Sequence, residues 1–556
     1  MDIHIDSVFH SFLEYLSLGG LVLAEALDHL DDTLSEWPPV LLVALTAFFV
    51  TVAMEMYRWY SDSDLTLMQR GKRKFFKMLR SAPIIGSKIK KELKSTKTNI
   101  AQSSFKLPKG ENYRTTLPKT GLSHQELMSV VKKNYKNLEE IDWQKGKVSG
   151  TVYTGENHGI MGQVFELFCN SNLLQPGVFP GVRKMEAEIV AMCCDIFKGG
   201  PESCGTTTSG GTESLLLACL AYRELARARG VQRPEILLPI CGHAAFEKAA
   251  HLFEMRIVRT PLNKTTYKAD VQAMKKMINK NTCMLVVSAP CFPHGIIDPI
   301  SEVAKLGLKY NIPVHIDMCM GGFLYPFLRL GGHDIPPSDF SVAGITSISA
   351  DLHKYGKAPK GSSVVLYSDQ KYRQGQFFVS TDWVGGVYAS PTLAGTRSGA
   401  VIATAWATLM LQGLDGYIQH ADRVIKTRES IEKRLREIEG ITVIGQPKVS
   451  AVTIASNVFD VFRLGTCLTE KGWQMYTVQN PSGLCVTVTD LFNKETANQL
   501  IADVEEGTAQ IMKDPNAKAE GMAAIYGMAS TLPDRSLVSD FICGYLDAFY
   551  STESHQ

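Results

Sequence analysis

Residues 347–363 read SISADLHKYGKAPKGSS, and the fold prediction starts from this segment. It begins inside an apolar strand predicted over Gly344–Ser349, and a second strand, Ser363–Tyr367, begins where it ends. Between the two strands stands Lys354, although lysines are almost never buried unless they are paired. A partly buried lysine has a lowered pKa and can act as a nucleophile toward a carbonyl group. The alternative is an ordinary solvent-exposed lysine, and the other polar residues at the predicted strand ends decide between the two interpretations.

Helical patterns and short apolar runs alternate on both sides of this loop. Helices are predicted over Glu213–Arg229 and Ile300–Tyr310. The predicted strands are Ile236–Pro239, Cys283–Ala289, Pro313–Asp317, Gly344–Ser349 and Ser363–Tyr367. Such alternation is typical of an α/β domain with a mainly parallel sheet, which we place at residues 111–415. Ligands bind such sheets at the carboxyl ends of the strands.

The chain after residue 415 has a different pattern. A charged helical stretch, DRVIKTRESIEKRLREIEG, occupies residues 422–440. Short strand-like runs follow at Ile441–Gly445, Val452–Ala455 and Cys485–Thr489. These features predict a smaller α+β domain over residues 416–556.

Polar residues stand where several of these elements begin or end. Gly210, Gly211 and Thr212 precede a helix, and a helix N-terminus offers N–H groups and a positive dipole end to a phosphate. The same residues also fit a simple capping box. Asp317 ends a strand, where a carboxylate needs a cation or a donor such as a protonated ring nitrogen. Its alternative is an ordinary acid that caps a loop.

His243 completes an ordered set of candidate residues. It follows the strand Ile236–Pro239, and its imidazole can stack on a flat ring, although a lone histidine there is more often structural. Along the chain, a phosphate cradle, a ring stacker, an acid and a lysine follow one another. Pyridoxal phosphate needs this set of groups. Each feature is weak alone, and together they predict a pyridoxal-phosphate site.

The composition of the 556-residue chain is that of a globular protein. The 58 Lys and Arg balance 56 Asp and Glu, and a formal charge of +2 gives no indication of nucleic-acid binding. Twelve cysteines are scattered without a CxxC pair. This favours free thiols in a reducing compartment over a disulfide scaffold, and no metal site is expected.

The N-terminal hundred residues are charged unevenly. No Lys or Arg precedes Arg58, and residues 37–54 carry no charge at all. We predict a transmembrane helix over residues 37–57, a lumenal tail over 1–36 and a basic cytosolic stem over 58–110. The alternatives are a buried core helix and a displaced signal peptide, although a signal peptide carries its positive residues before the apolar run.

Six segments resemble the sphingosine-1-phosphate lyase family, which consists of pyridoxal-phosphate enzymes of the group II decarboxylase-like, fold type I superfamily. They are FPGVRKMEAEIV, SCGTTTSGGTESLLLA, HAAFEKAA, FPHGIIDPI, SISADLHKYGKAPKGSS and YASPTLAGTRSG, and the resemblance covers roughly residues 110–550. It implies C2–C3 cleavage of phosphorylated sphingoid bases to a long-chain aldehyde and phosphoethanolamine. It also implies a single-pass protein of the endoplasmic reticulum membrane with its N-terminus in the lumen and its catalytic domain in the cytosol.

The resemblance assigns roles to particular residues. Lys354 becomes the Schiff-base lysine, Asp317 the partner of the pyridinium nitrogen, and His243 the stacking residue. The other assigned residues are His353 beside the ring and phosphate, Gly210, Gly211 and Thr212 on the cofactor phosphate, Gly395 and Thr396 reaching that phosphate from the other subunit, and Tyr153 and Lys360 for substrate phosphate and catalysis. A phosphate loop supplied by the other subunit implies an obligate homodimer with shared active sites.

One segment departs from the family pattern. Where the family reads N-x-L-H-P-D-x-F-P, residues 172–180 read NLLQPGVFP, so Gln175 replaces a histidine near the substrate phosphate. Glutamine forms hydrogen bonds but carries no charge, and His158 is a candidate replacement. Two alternatives stay open. One is an amino-acid decarboxylase of the same fold, which needs a site for an α-carboxylate, and the other is a non-catalytic, membrane-tethered paralogue.

Overall fold

A seven-stranded sheet organises the large domain of the computed structural model, which describes residues 112–138, 143–154, 159–517 and 535–552 with scattered positions between 38 and 95. Its strands are β1 Cys204–Thr208, β2 Glu235–Pro239, β3 Arg256–Thr260, β4 Thr282–Ser288, β5 Val314–Asp317, β6 Ile345–Ala350 and β7 Ser363–Tyr367. They lie in the order β1-β7-β6-β5-β4-β2-β3. All neighbours from β3 to β6 pair in parallel, whereas β7 is antiparallel to both β6 and β1. The predicted mainly parallel α/β sheet is confirmed.

The five predicted strands of this sheet all form, with ends within one residue of the predicted ones. The sheet also contains β1 and β3, which the apolar pattern did not indicate. β1 reads CGTTT and is buried throughout, because its threonines find polar partners. The Thr207 hydroxyl bonds to Glu186, and Thr206 accepts a hydrogen bond from Gln376. β3 lies at the sheet edge, where a partly exposed strand tolerates two arginines.

Helices cover both faces of this sheet and continue into the C-terminal part. They are α1 His124–Val130, α2 Gly159–Phe168, α3 Pro180–Ile196, α4 Gly211–Ala228, α5 Ala245–Leu252, α6 Val271–Met277, α7 Ile300–Tyr310, α8 Tyr325–Leu330, α9 Gln370–Gln374, α10 Gly399–Leu435, α11 Val461–Glu470, α12 Lys494–Ile511 and α13 Arg535–Phe549. The helix α10 is interrupted at Gly413, whose φ of 57° is one that glycine adopts without strain. The predicted domain boundary after residue 415 lies two residues beyond this interruption.

Two smaller sheets follow the large one. A hairpin consists of β8 Phe378–Ser380 and β9 Tyr388–Ser390. The second sheet is antiparallel, with β10 Thr442–Val443, β11 Ala451–Ala455, β13 Gly483–Thr487 and β12 Tyr476–Val478 in that order. With α11 and α12 it forms the α+β arrangement that the sequence predicts for the C-terminal part.

The chain divides into two compact units, residues 1–83 and 84–556. In the first unit, the predicted lumenal tail lies outside the described residues. Of the predicted membrane span, the structure describes Pro38, Val43 and residues 46–52, and Val43 and 46–52 are helical. Within the described part of the chain, no helix is both long and apolar enough to cross a membrane. The predicted transmembrane helix therefore stays a prediction.

Candidate active site

The loop between β6 and β7 holds Lys354 beside a buried acid. Lys354 Nζ lies 2.9 Å from Asp351 Oδ2, and Asp351 is only 2% exposed. Burial lowers the pKa of Lys354, but the nearby Asp351 carboxylate outweighs it, and the net pKa is raised. The expectation of a lowered pKa for Lys354 was therefore wrong for the free amine, because the sequence analysis did not include Asp351 as its partner.

His353 lies between this acid and the glycines before α4. Its Nε2 lies 3.6 Å from Asp351 Oδ2, and its Nδ1 accepts a hydrogen bond from the Ser362 amide at 3.3 Å. Burial lowers the pKa of His353. A Cβ built on Gly210 would lie 3.3 Å from the His353 ring, so the imidazole covers the glycine that precedes the helix. The structure thus brings His353 and Gly210 together.

The N-terminus of α4 is tied to both strands that flank the lysine loop. The Thr208 hydroxyl lies 2.7 Å from the Ser214 hydroxyl, which lies 2.9 Å from that of Ser363. Ser363 in turn donates to the Ala350 carbonyl at 3.0 Å. Because these bonds join β1, α4, β6 and β7, the helix N-terminus and the lysine loop form one rigid corner. Thr212 lies in the first turn of α4 and is exposed.

Cys319 lies beside Asp317 and the first glycine of α4. Its amide donates to Asp317 Oδ1 at 3.1 Å, and Asp317 ends β5 with 8% of its surface exposed. A Cβ on Gly211 would lie 2.8 Å from Cys319 Sγ and 2.9 Å from both carboxylate oxygens of Asp351. Burial raises the pKa of the Cys319 thiol, and Asp317, Asp351 and Lys354 are the charges that act on it. Gly211 therefore lies directly against this buried thiol, and Asp317 is bonded to the backbone of the same cysteine.

Tyr153 and Lys360 form a second group next to the lysine loop. The Lys360 ammonium lies 5.0 Å from the centre of the Tyr153 ring and donates to the His353 carbonyl at 3.3 Å. The Tyr153 ring packs edge-on against Tyr355 at 4.8 Å. Burial raises the pKa of Tyr153, and the Lys354 charge opposes this. Loss of solvation lowers the pKa of Lys360, as does the charge of Lys354. The structure thus places both predicted residues near Lys354.

A buried ion cluster fastens the lysine loop to the C-terminal part. The side chain of Lys357 is 1% exposed, and its Nζ lies 2.5 Å from Asp490 Oδ2. Asp490 Oδ1 lies 2.7 Å from His420 Nδ1 on α10. The neighbouring Tyr355 hydroxyl donates to the Val488 carbonyl at 2.6 Å. These contacts fix the backbone on the C-terminal side of Lys354.

The loop that contains Gly395 and Thr396 is bonded to the N-terminus of α4 in the same chain. The Leu393 amide donates to Glu213 Oε1 at 3.2 Å, and Glu213 Oε2 accepts from the Ser209 amide at 2.7 Å. Thr396 accepts a hydrogen bond from Asn172 at 3.4 Å.

The loop is anchored again one residue later. Arg397 forms a two-pronged ion pair with Glu186, and it also donates to the Thr207 hydroxyl at 3.2 Å. Thr207 belongs to β1, so the loop follows the strand that leads into the glycine corner.

The hydrogen bonds of Gln175 and His243 are to residues close to them in the chain. Gln175 is exposed in a turn, where its amide donates to the Asn172 carbonyl at 3.1 Å. Asn172 also contacts Thr396, so the Gln175 turn lies beside the 393–397 loop. His243 follows β2 and accepts from the Ala245 amide at 3.1 Å, ahead of α5. His158 lies outside the described residues.

Two residues of the corner escaped the sequence analysis. Asp351 stands three positions before Lys354 and Cys319 two after Asp317. Their proximity to those residues in the chain was the available signal, because Asp317 ends β5 and Lys354 follows the neighbouring strand β6.

The corner has the chemistry that a pyridoxal-phosphate enzyme requires: a lysine amine, an acid and a glycine-opened helix at the carboxyl ends of one sheet. At Gly211 any side chain would overlap Asp351 and Cys319, so this position requires glycine and the helix N-terminus stays open there. Residues 111–456 match the pyridoxal-dependent decarboxylase conserved domain. The chain is therefore a member of this class of pyridoxal-phosphate enzymes.

Comparison with individual proteins narrows the class. Sphingosine-1-phosphate lyase 1 of Rattus norvegicus is 45% identical over 547 residues, which cover 98% of this chain and 95% of the rat protein. The Drosophila melanogaster sphingosine-1-phosphate lyase is 44% identical, with 89% and 91% covered. The solved sphingosine-1-phosphate lyase of Burkholderia pseudomallei aligns with a TM-score of 0.72 at 33% identity, covering 79% of this chain and 98% of that one. This chain belongs to the sphingosine-1-phosphate lyase family.

Proposed function

We propose that this chain is a pyridoxal-phosphate-dependent lyase of sphingolipid degradation. It cleaves the C2–C3 bond of phosphorylated sphingoid bases and yields a long-chain aldehyde and phosphoethanolamine. The observation that carries the proposal is that Lys354 pairs with Asp351, which lies against Gly211 at the start of α4, while Asp317 bonds to the Cys319 amide beside the same glycine. An amino-acid decarboxylase is not favoured, because the relatives that match nearly the whole chain are sphingosine-1-phosphate lyases. The intact corner also argues against a non-catalytic paralogue.

The residues of the corner divide the binding of the cofactor among them. Lys354 would bind its carbonyl carbon, Asp317 its ring nitrogen, and the N–H groups at Gly210, Gly211 and Thr212 its phosphate. His243 and His353 would flank the ring. When bound, the cofactor supplies an electron sink for the electron pair left at C2 by the breaking bond.

Proton transfers complete the reaction. Asp317 holds a proton on the ring nitrogen, and Lys354 delivers one to C2 after the aldehyde has left. The C3 hydroxyl must lose its proton to start the cleavage. Burial raises the pKa of Tyr153, whereas that of Lys360 is lowered. Tyr153, Lys360 and the substrate phosphate are the candidate bases, because the Lys360 ammonium lies 5.0 Å from the Tyr153 ring centre and both residues adjoin the lysine loop.

The defining experiment compares two lysine variants of the purified protein. Lys354→Ala should abolish the cofactor absorbance and the release of aldehyde from a phosphorylated sphingoid base. Lys371→Ala serves as the control, because the Lys371 side chain is 63% exposed and pairs with Asp369 on the surface. Aldehyde release by Lys354→Ala at the wild-type rate, or release of CO2 from an amino acid by the wild type, would contradict the proposal.

We further propose a homodimer with shared active sites. An exposed apolar patch supports it on the β8–β9 hairpin, where Phe378, Trp383, Val384 and Val387 are 57%, 57%, 102% and 77% exposed. Soluble proteins rarely leave so many large apolar side chains uncovered together. If Thr396 serves the partner's site, a mixture of Lys354→Ala and Thr396→Val chains regains activity, because one site in each mixed dimer is intact. Two inactive parents that stay inactive after mixing would contradict shared sites.

We also propose anchoring in the endoplasmic reticulum membrane with the catalytic part in the cytosol. The support is the uncharged run at residues 37–54 and the basic residues from Arg58 onward. Protease added to intact microsomes should remove the catalytic part and protect only an N-terminal fragment. Recovery of the full-length chain in the soluble fraction would contradict anchoring.

A further inference from the structure

A buried carboxylate to which the proposed reaction assigns no step lies beside the functional lysine. Asp351 Oδ2 pairs with Lys354 Nζ at 2.9 Å. Asp351 Oδ1 has no hydrogen-bond partner among the residues that the structure describes. A buried carboxylate oxygen without a donor destabilises the fold, so native proteins rarely retain one without a reason. Asp351 is therefore a candidate for a role in the chemistry of Lys354.

The groups that face Lys354 from other elements are not its bases. Burial raises the pKa of the Tyr153 phenol and of the Cys319 thiol, and both stay protonated near neutral pH. Asp317 is bonded to the Cys319 amide at the end of β5. Asp351, by contrast, forms an ion pair with the Lys354 amine at 2.9 Å.

The titratable neighbours on the loop itself do not replace Asp351 either. The Lys360 ammonium donates to the His353 carbonyl and lies over the Tyr153 ring, and the charge of Lys354 lowers the pKa of Lys360. Burial lowers the pKa of His353, and its Nε2 faces the same Asp351 oxygen at 3.6 Å. The Asp351 carboxylate therefore receives both the lysine and the imidazole on one oxygen.

Helix α4 keeps the Asp351 carboxylate in this position. A Cβ at Gly211 would lie 2.9 Å from each Asp351 oxygen, closer than real Cβ contacts come. The first residue of α4 thus forms the wall against which the carboxylate rests. This contact fixes the orientation of the Asp351 carboxylate toward Lys354.

We propose that Asp351 is the positioning residue and proton partner of Lys354. An amine attacks a carbonyl carbon only as the neutral base, so the Lys354 ammonium must first lose a proton. Its N–H bond breaks and an O–H bond forms on Asp351, which leaves a neutral amine and a carboxylic acid. The same proton returns when the amine is released. The proposed function enters only through the choice of Lys354 as the residue that bears the cofactor.

The test measures the basicity of the Lys354 amine directly. The full chain, freed of cofactor, is labelled with trace acetic anhydride across a pH series, and mass spectrometry gives the labelling rate of each lysine. In the wild type, Lys354 should titrate above an ordinary lysine. In Asp351→Asn, burial is unopposed, and the labelling rate of Lys354 near pH 8 should rise at least tenfold, which corresponds to a pKa lower by about one unit.

A surface pair of the same length is the matched control. Asp369 lies 2.9 Å from Lys371 in solvent, and Asp369→Asn should change the labelling of Lys371 less than about threefold and that of Lys354 not at all. A Lys354 profile that is the same in wild type and Asp351→Asn would overturn the inference. If that variant fails to fold, a wild-type Lys354 that titrates below an ordinary lysine would overturn it as well. Because the labelling needs neither cofactor nor turnover, these outcomes are distinct from failure of the proposed lyase activity.

Discussion

Asp490→Asn should weaken the attachment of the lysine loop to the C-terminal part. The Asp490 carboxylate lies 2.5 Å from Lys357 Nζ and 2.7 Å from His420 Nδ1, and the Lys357 side chain is 1% exposed. Removing one member of a buried ion pair costs about 3–5 kcal/mol. Because the amide oxygen of asparagine still accepts a hydrogen bond, we expect a loss of about 3 kcal/mol in the free energy of unfolding, at the low end of that range.

A double-mutant cycle separates this pair from its surroundings. Lys357→Met should cost only about 1.5 kcal/mol, since His420 and Arg423 still face Asp490. The double variant should cost about 2 kcal/mol, well below the sum, because the buried charge and its partner leave together. Urea unfolding monitored by tryptophan fluorescence measures all three variants. Costs that add within about 0.5 kcal/mol would refute the coupling.

The pH dependence supplies an independent check of the same carboxylate. The His420 and Lys357 contacts hold the pKa of Asp490 below its ordinary value, against the effect of burial. Its stabilisation is therefore complete above about pH 4 and is lost as the pH falls through the lowered pKa. The stability difference between wild type and Asp490→Asn should shrink on acidification. Asp422→Asn is the control, because its pairs with Lys426 at 2.7 Å and His333 at 3.1 Å are more exposed than those of Asp490, and the change should cost below about 1 kcal/mol.

Three further predictions concern the corner and its surroundings. Gly211→Ala should destabilise the fold by about 1–3 kcal/mol and weaken cofactor binding, since its Cβ would overlap Asp351, and thermal unfolding with a cofactor titration measures both. Burial raises the pKa of Asp298 to about 7, so stability should fall by up to about 4 kcal/mol as the pH rises from about 4 to 7, and Asp298→Asn should flatten this slope in urea titrations. Gln175→His should lower the KM for a phosphorylated sphingoid base about fivefold at slightly acidic pH, because a charged donor binds phosphate more strongly than an amide.

Each of these has a result that would count against it. Gly162→Ala has open space around its new Cβ in α2 and should be neutral or stabilising by up to about 1 kcal/mol, so equal losses at both glycines would remove the steric argument. A slope that persists in Asp298→Asn would assign the pH dependence to other groups. An unchanged KM in Gln175→His would mean that another residue already holds the substrate phosphate.

The strands of the large sheet were predictable because burial and apolar character coincide in them. β4 and β5 are buried along their whole length, and their runs of branched residues are visible in the sequence. β1 is equally buried but reads CGTTT, and side-chain partners such as Glu186, Gln376 and Ser214 make that burial tolerable. Those partners lie on other elements, so no local pattern could have indicated the strand.

The site shows the same division between local and distant information. The sequence placed Lys354 and Asp317 at strand ends, where the parallel sheet brings them to one edge. It could not give the pKa direction of Lys354, because that depends on the side-chain geometry of Asp351 against Gly211. An ionisable group in a protein interior has a protonation state set by contacts within a few ångströms, and spacing along the chain does not determine these contacts.

The 393–397 loop connects the proposed cofactor-binding residues of one chain with the proposed shared site of the dimer. Glu213 bonds both to the Ser209 amide before the helix and to the Leu393 amide of the loop, so the cradle and the loop share one carboxylate. In the proposed dimer, Thr396 of this loop serves the other subunit's phosphate, while the Glu213 contacts stay within one chain. The position of the α4 N-terminus in one subunit would then set how far the 393–397 loop of that subunit reaches into the other site. A disturbance at Glu213 should therefore impair both sites of a dimer even when only one chain carries it.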